Sequence, residues 1–317
     1  SVVRFRGYEL GWLRFFPMFA KSLPYLRGAE LVLGINIAYG ATMAWLLRRP
    51  YMTFAYAYEF LKFGRGPVAS LFRKIYAGSL RTISISRFTA LELEKFGVPH
   101  AHITTILPGA PPALRVSDTT LSEVRARFAP ENERLLLAVG RLIGRKGHAT
   151  LLDAMPLILE KHPGTRLVIV GRGPLSDSLL EQARRLGIAD SVAFPGYLGE
   201  DEVAALYSLC TLFVLPTGSE DGGHVEGFGL VFAEANAYGK PAIGGRSGGT
   251  VDAIRDGETG LLVEPGNARA CAEAVNELLS DPARCQVMGE AGRARVASEL
   301  NWTAFSRELM RVTDEAR

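Results

Sequence analysis

Glu226 and Glu234 bracket seven residues in the run Glu-Gly-Phe-Gly-Leu-Val-Phe-Ala-Glu. The Gly227-Phe228-Gly229 turn stands just before a helix-forming stretch that opens at Leu230. A helix N-terminus preceded by glycines offers unpaired backbone N–H groups and the positive end of the helix dipole, which suits a phosphate. An ionised carboxylate only accepts hydrogen bonds, and a sugar hydroxyl can always donate one. Phosphate and polyol recognition at one site point to a sugar nucleotide.

Two further stretches fit that chemistry. In Val139-Gly-Arg-Leu-Ile-Gly-Arg-Lys-Gly147 a strand ends at Gly140, and Arg141 and Lys146 lie on the loop that enters the next helix. Two cations at the carboxyl end of a strand can neutralise a diphosphate and stabilise it as it leaves. Taken alone, the same loop reads equally as a solvated basic turn. In Ile169-Val-Gly-Arg-Gly-Pro174, Gly171 and Gly173 let a nucleotide approach the backbone. Ser176 at the third glycine position breaks the dinucleotide fingerprint. Tight strand–helix geometry would call for the same glycines.

The elements that must position these residues alternate strand and helix along the chain. Expected strands are Leu31–Ile35, Tyr51–Ala55, Arg81–Ile85 and Ile103–Leu107, then Leu135–Val139, Arg166–Val170, Ser191–Phe194, Thr211–Leu215, Pro241–Ile243 and Leu261–Val263. Helices are expected at Ala38–Arg48, Val68–Ala77, Arg87–Phe96, Thr119–Phe128 and Trp302–Glu315. Repeated βα units predict an α/β protein with parallel sheets covered on both faces. Gly109-Ala-Pro-Pro112 breaks the alternation. The expected domains are therefore 1–115 and 116–300, followed by a carboxyl-terminal helix over 301–317 that returns towards the first. Two such domains would meet at a cleft lined by the carboxyl ends of their strands.

The chain of 317 residues is long enough for two cores, and its 48% hydrophobic and 22% charged content is that of an ordinary globular protein. The net charge of +3 hides an asymmetry. Residues 1–115 carry 15 Lys and Arg against 5 Glu and no Asp, and 19 of the 29 aromatic side chains. A basic, aromatic-rich half suits an anionic membrane surface or an anionic acceptor, although a solvated basic surface over an aromatic core has the same composition. The amphipathic stretches Trp12–Leu26 and Phe60–Tyr76 could dock on lipid or simply pack inward. Nucleic acid is not an expected partner. Cys210, Cys271 and Cys285 have no metal-ligand spacing and read as reduced, buried thiols. With no apolar run of transmembrane length, a cytoplasmic location is expected, with peripheral attachment to the inner face of the cell membrane. The sequon Asn301-Trp-Thr303 would matter only in a secreted protein.

Glu226-x7-Glu234, together with Gly140-Arg-Leu142, Lys146-Gly147 and the Val170-Gly-Arg-Gly173 turn, resembles the motif set of the GT4 family of retaining glycosyltransferases. The order of the motifs matches over about residues 31–317. The resemblance implies the GT-B fold, two Rossmann-like domains across a cleft, and transfer of a hexose from a nucleotide diphosphate sugar. It implies that Arg141 and Lys146 hold the diphosphate, and that Glu226 touches the hydroxyls of the transferred sugar. Gly227, Phe228, Gly229 and Leu230 would hold phosphate or sugar by backbone N–H groups, and Glu234 the ribose hydroxyls. Gly171, Gly173, Tyr197 and Leu198 would approach the nucleoside. The loop Thr217–Val225 resembles that of mannosyltransferases acting on phosphatidylinositol-type acceptors. It adds Asp221 and His224 as sugar or acceptor contacts and tilts the donor towards GDP-mannose rather than UDP-glucose. The acceptor would be lipid-linked or a glycan. No cofactor is expected beyond the co-substrate. No Asp-x-Asp pair exists to hold a divalent metal, so the cations replace one and no metal site is expected. The pair His100 and His102 lacks further ligands nearby in sequence.

The chain departs from the pattern in two places. The usual opening strand, glycine turn and helix are not matched, so the first domain reads as short by roughly two βα units of ~30 residues each. Tyr56, in Ala55-Tyr-Ala-Tyr-Glu59, stands where the family carries a His that contacts the donor sugar. A phenol can hydrogen-bond a hydroxyl but cannot do imidazole's proton chemistry near neutral pH. Glu59 completes that segment as a further sugar contact. Two other readings stay open: a sugar-nucleotide binder without activity, and a nicotinamide-dependent oxidoreductase, which the incomplete GxGxxG disfavours.

Overall fold

The computed structural model describes residues 15–57, 61, 66–130, 133–220 and 224–316. Glu59 and Asp221 lie outside the described residues, as do Trp12, Phe60, Lys62 and Arg65 of the amphipathic stretches. Backbone contacts divide the chain into two units, Ser1–Ile106 with Met310–Arg317, and Leu107–Leu309.

The first unit holds a parallel sheet in the order β1 (Val32–Gly34), β2 (Tyr51–Ala55), β3 (Arg81–Ser84), β4 (Ile103–Thr105). Its registers run from Val32 opposite Tyr51 through Met52 opposite Arg81 to Thr82 opposite Ile103. Every residue of β2 is buried. A strand covered on both faces must be apolar throughout rather than alternating, and Tyr-Met-Thr-Phe-Ala meets that demand. Thr53 satisfies its hydroxyl by donating to the Gly34 carbonyl at 3.1 Å. The helices are α1 (Phe15–Gly28), α2 (Thr42–Leu46), α3 (Pro67–Ala77) and α4 (Arg87–Phe96). Ser86 caps α4 by accepting from the Thr89 N–H at 3.0 Å, and Gly97 ends it in the left-handed region at φ +100°.

The expected helix Ala38–Arg48 is instead a π-helical turn, Ile37–Ala41, followed by the short α2. The Asn36 side chain accepts from the Ala38 N–H at 2.8 Å and starts the turn. Gly34 lies so close beneath it that an added Cβ would sit 2.6 Å from the Ala41 nitrogen. This close approach of strand to turn overrides the propensity of the apolar run.

The second unit is a six-stranded parallel sheet in the order β10-β9-β8-β5-β6-β7. Its strands are β5 (Arg134–Val139), β6 (Thr165–Val170), β7 (Val192–Gly196), β8 (Leu212–Leu215), β9 (Ala242–Gly245) and β10 (Gly260–Val263). Leu136 and Leu137, Leu167 to Ile169 and Leu212 to Leu215 are fully buried. Strand order reverses between β5 and β8, and the crevice at such a switch point is where open parallel sheets bind ligands. The loops leaving these two strands begin at Gly140 and Pro216 and carry both principal motifs. The helices are α5 (Asp118–Phe128), α6 (His148–Lys161), α7 (Ser176–Arg185), α8 (Glu200–Leu209), α9 (Leu230–Ala237), α10 (Thr250–Ala253), α11 (Ala268–Ser280) and α12 (Pro282–Ser298), and α13 (Trp302–Glu315) begins in this unit and ends in the first. Asn301 caps α13 through its Oδ1, which accepts from the Ala304 N–H at 2.9 Å, so the sequon residue has a structural use.

Candidate functional site

The loop after β5 is built by backbone economy. Gly144–Lys146 forms one 3-10 turn, and Gly147 follows at φ +74°. A Cβ on Gly147 would stand 2.0 Å from the Pro216 carbonyl oxygen, so only glycine lets the loops after β5 and β8 pass here. His148 opens α6 almost fully buried, and its Nε2 lies 3.3 Å from the Arg141 carbonyl. A carbonyl only accepts, so Nε2 carries the proton. Burial is the main cause that pushes the His148 pKa down to about 4. The ring stays neutral and fixes the backbone from which the exposed Arg141 side chain projects.

Lys146 reaches across to the other motif. Its stem passes over Gly140, where a Cβ would lie 3.6 Å from the Lys146 Cε. Its ammonium donates to Glu226 Oε2 at 2.6 Å. The two side chains are only 12% and 15% exposed, so this pair is far less screened than a surface salt bridge. The structure thus joins residues 80 positions apart that the sequence marks separately.

Glu226, Gly227, Phe228 and Gly229 run into the amino end of α9, which has no side-chain cap. Gly229 adopts φ +91°, and Phe228 is buried beneath the turn. A second glycine turn, Ser247-Gly248-Gly249, cradles this loop. The Gly249 N–H donates to the Glu226 carbonyl at 2.7 Å, and a Cβ on Gly249 would meet the Gly227 carbonyl oxygen at 2.0 Å. Sequence reasoning passed over this cradle, although two glycines in succession after β9 are a visible signal.

The second carboxylate has other company. Glu234 lies one turn into α9 and accepts from the Tyr207 hydroxyl at 3.0 Å. Burial raises its pKa, opposed by the Tyr207 hydrogen bond and the charge of Lys146. Tyr207, on α8, is itself buried; its ring stacks on Tyr238 at 5.4 Å and 16°. Burial, then the neighbouring Glu234, holds its hydroxyl well above the ordinary tyrosine range, so it remains a donor. Glu234, Tyr207, Tyr238, Tyr197, Leu198 and Pro112 are among the residues lining a cavity of about 460 Å³. Tyr197 is exposed and Leu198 buried. Neither Tyr207 nor Tyr238 was legible as a site residue, because nothing in the spacing of Tyr207 ties it to a carboxylate 27 positions on.

Gly171 and Gly173 sit where the loops after β5 and β6 touch. A Cβ on Gly171 (φ +146°) would lie 1.9 Å from the Gly140 carbonyl oxygen, and one on Gly173 would lie 2.3 Å from that of Leu142. Their absent side chains admit neighbouring backbone. Leu230, the first residue of α9, is exposed. His224 pairs through its backbone carbonyl with the Glu220 N–H at 2.9 Å, in a small bridge after β8. Tyr56 lies in the first unit just after β2, at 38% exposure, with its ring stacked near Phe54 at 6.4 Å. The next residue, Ala57, is buried with φ +75°, a strained conformation for a residue with a Cβ. Of the pair His100 and His102, the first is bonded to Glu94 at 2.5 Å and the second lies 3.1 Å from the Ser79 carbonyl. Among the described residues no group of three His, Cys, Asp or Glu is placed to hold a metal, and no helix is long and apolar enough to cross a membrane.

This arrangement has known counterparts. A GDP-mannose-dependent alpha-(1-6)-phosphatidylinositol monomannoside mannosyltransferase of Mycobacterium tuberculosis (strain ATCC 25618 / H37Rv) is 35% identical over 257 residues, which are 79% of this chain and 67% of that protein. The chain thus spans about two thirds of that relative's length. Among solved structures, HepE of Anabaena in complex with UDP and glucose superposes with a TM-score of 0.81 at 20% identity, covering 97% of this chain and 83% of that one. Sucrose-phosphate synthase of Thermosynechococcus elongatus gives 0.78 at 25% identity, covering 98% and 80%. The two parallel α/β units are those of the GT-B fold. Residues 122–295 match the family described as glycosyl transferases group 1. The chain belongs to that family of glycosyltransferases.

Proposed function

We propose that this chain transfers a hexose from a nucleotide diphosphate sugar, GDP-mannose ahead of UDP-glucose, to a lipid-linked or glycan acceptor, with retention of anomeric configuration and without a metal. The observation that carries this reading is the largely buried Lys146–Glu226 pair beyond the end of β5, in the unit where Glu234 lines a cavity of about 460 Å³. A diphosphate would take Lys146 and Arg141 as counter-ions. Glu226, released from Lys146, would then accept from hydroxyls of the sugar. Glu234 would accept from the ribose diol, with Tyr197 and Leu198 beside the base. The backbone N–H groups of Gly229 and Leu230 would support phosphate or sugar. Gly171 and Gly173 keep the neighbouring loops close enough for this. The mannosyltransferase named above supports GDP-mannose and a phosphatidylinositol-mannoside-type acceptor, while a HepE complex with UDP-glucose supports the other donor.

In the reaction the C1–oxygen bond to the diphosphate breaks and a bond from C1 to the acceptor oxygen forms on the same face. The acceptor proton passes to the departing phosphate oxygen. No protein nucleophile is required. The cations lower the barrier by stabilising charge that grows on the leaving group. Tyr56, Glu59, Asp221 and His224 are the further residues proposed to touch sugar or acceptor.

The basic first unit would bind an anionic membrane surface from the cytoplasmic side. Support comes from Val68 and Leu71, exposed on α3 beside Arg73 and Lys74, and from Phe16 and Tyr25, exposed on α1. A sugar-nucleotide binder without transferase activity is the second reading, favoured by Tyr56 in place of imidazole. The test supplies radiolabelled GDP-mannose or UDP-glucose with phosphatidylinositol-mannoside lipids and excess EDTA, and reads the product's anomeric signal by NMR. An α-linked product formed despite EDTA is expected. A β-linked product, or activity abolished by EDTA and restored by a divalent ion, contradicts the mechanism. Donor binding with neither transfer nor hydrolysis, across lipid and glycan acceptors, supports the second reading.

A further inference from the structure

The cavity that contains Glu234 has a wall whose construction exceeds what packing needs. Tyr207 is buried, its ring tilted against Phe213 with centroids 5.8 Å apart and stacked on Tyr238 at 5.4 Å. Buried and packed by two aromatic rings, the side chain has little freedom to swing. Its hydroxyl donates to Glu234 Oε2 at 3.0 Å. Tyr238 is anchored in turn, because its hydroxyl accepts from the Leu114 N–H at 3.0 Å. Leu114 and Tyr238 line the same cavity as Glu234. An aromatic pair thus ties the backbone at Leu114 to one oxygen of the carboxylate and leaves Oε1 with no protein partner among the described hydrogen bonds.

We infer that Tyr207 is a positioning residue for nucleotide binding: buttressed by Tyr238, it holds the Glu234 carboxyl group oriented so that it accepts from a vicinal diol of the ligand. This rests on the nucleotide-sugar reading above. The physical need is specific. A buried carboxylate without a donor neutralises itself by taking up a proton, and a protonated carboxyl loses part of its capacity to accept from hydroxyls. A fixed phenol opposes both outcomes while adding no charge of its own. The other groups around Glu234 do not replace it. Lys146 acts on Glu234 through space and is committed to Glu226. Tyr238 donates nothing to Glu234 among the described hydrogen bonds, and Glu200, on the same cavity wall, is a carboxylate with no proton to donate.

Tyr207→Phe keeps the ring stack and removes only the hydroxyl. Calorimetry with GDP and UDP is expected to show roughly 10-fold weaker binding in this variant, the scale of one hydrogen bond to a charged group. The acid limb of affinity should also move to higher pH, because Glu234 loses a bond that lowers its pKa. The loss should vanish for the 2′,3′-dideoxy nucleotide, which offers no diol. A merely structural tyrosine would weaken all ligands alike. Unchanged affinity and pH profile in Tyr207→Phe, while Glu234→Ala loses binding, overturns this inference and leaves the nucleotide reading intact. If Glu234→Ala also binds normally, or the wild-type chain binds neither nucleotide, the nucleotide reading fails and takes the inference with it.

Discussion

The two glutamates of one motif live in opposite electrostatic settings. Glu226, on a glycine-rich loop, faces a full positive charge at 2.6 Å. Glu234, on a helix, faces a neutral phenol in a cavity walled by aromatic rings and prolines. The first region can exchange one anion for another, because Lys146 will accept phosphate as readily as carboxylate. In the second the hydrogen-bond partner is a neutral phenol instead of a cation, and the carboxyl group is suited to hydroxyl donors. In the function proposed above, one end would take the charged part of a sugar nucleotide and the other its nucleoside, with both carboxylates carried by a single helix-entry segment.

Breaking the charged region should have the largest effect. Lys146→Ala is expected to lower kcat by roughly 100-fold to 1000-fold, the scale of removing one preorganised stabilising group, with a smaller change in KM. Initial rates at saturating donor read it. A loss confined to KM would mean that Lys146 binds the ground state and the transition state alike.

The two regions also differ in the sign of their pH response. His148, beneath the charged loop, has its pKa pushed down to about 4, whereas an unfolded histidine titrates near ~6.5. As pH falls through that window the unfolded chain takes up a proton that the folded chain refuses, so stability is lost, by at most about 3 kcal/mol for this group. Urea unfolding of His148→Asn should show a correspondingly flatter acid limb. Glu234 behaves in the opposite sense. Its folded pKa is raised, so the folded chain holds the proton more tightly, and stability falls as pH rises from the ordinary carboxylate range through the raised value. Glu234→Gln should therefore raise Tm by about 1–3 °C at neutral pH while weakening donor binding roughly 10-fold. A lower Tm in that variant would show that the charge is stabilising and would erase the contrast with His148.

Much of this was legible from residue order. Strand β2 and helices α4 and α13 fall where the pattern placed them, because apolar runs, a capping Ser86 and a terminal Gly97 leave few alternatives. Lys146, Glu226 and Glu234 stood out by type and spacing. Their mutual arrangement did not, since the pairing of Lys146 with Glu226 depends on the neighbouring places of β5 and β8 in the sheet. The π-helical turn at Ile37–Ala41 was missed because a hydrogen bond from the Asn36 side chain and the close approach of Gly34 outweigh helix propensity there. Tyr207 and Tyr238 were missed for a related reason. Buried aromatic residues usually serve packing, and only the three-dimensional direction of a hydroxyl separates a positioning tyrosine from a core one.

The proposed function requires Glu234 to be the nucleoside contact of a sugar-nucleotide site. Calorimetric titration of the wild-type chain and of Glu234→Ala with GDP and with UDP tests this most directly. One nucleotide should bind the wild-type chain tightly, with at least a roughly 10-fold loss in the variant. Equal affinity in the two proteins, or no binding of either nucleotide to the wild type, would contradict it.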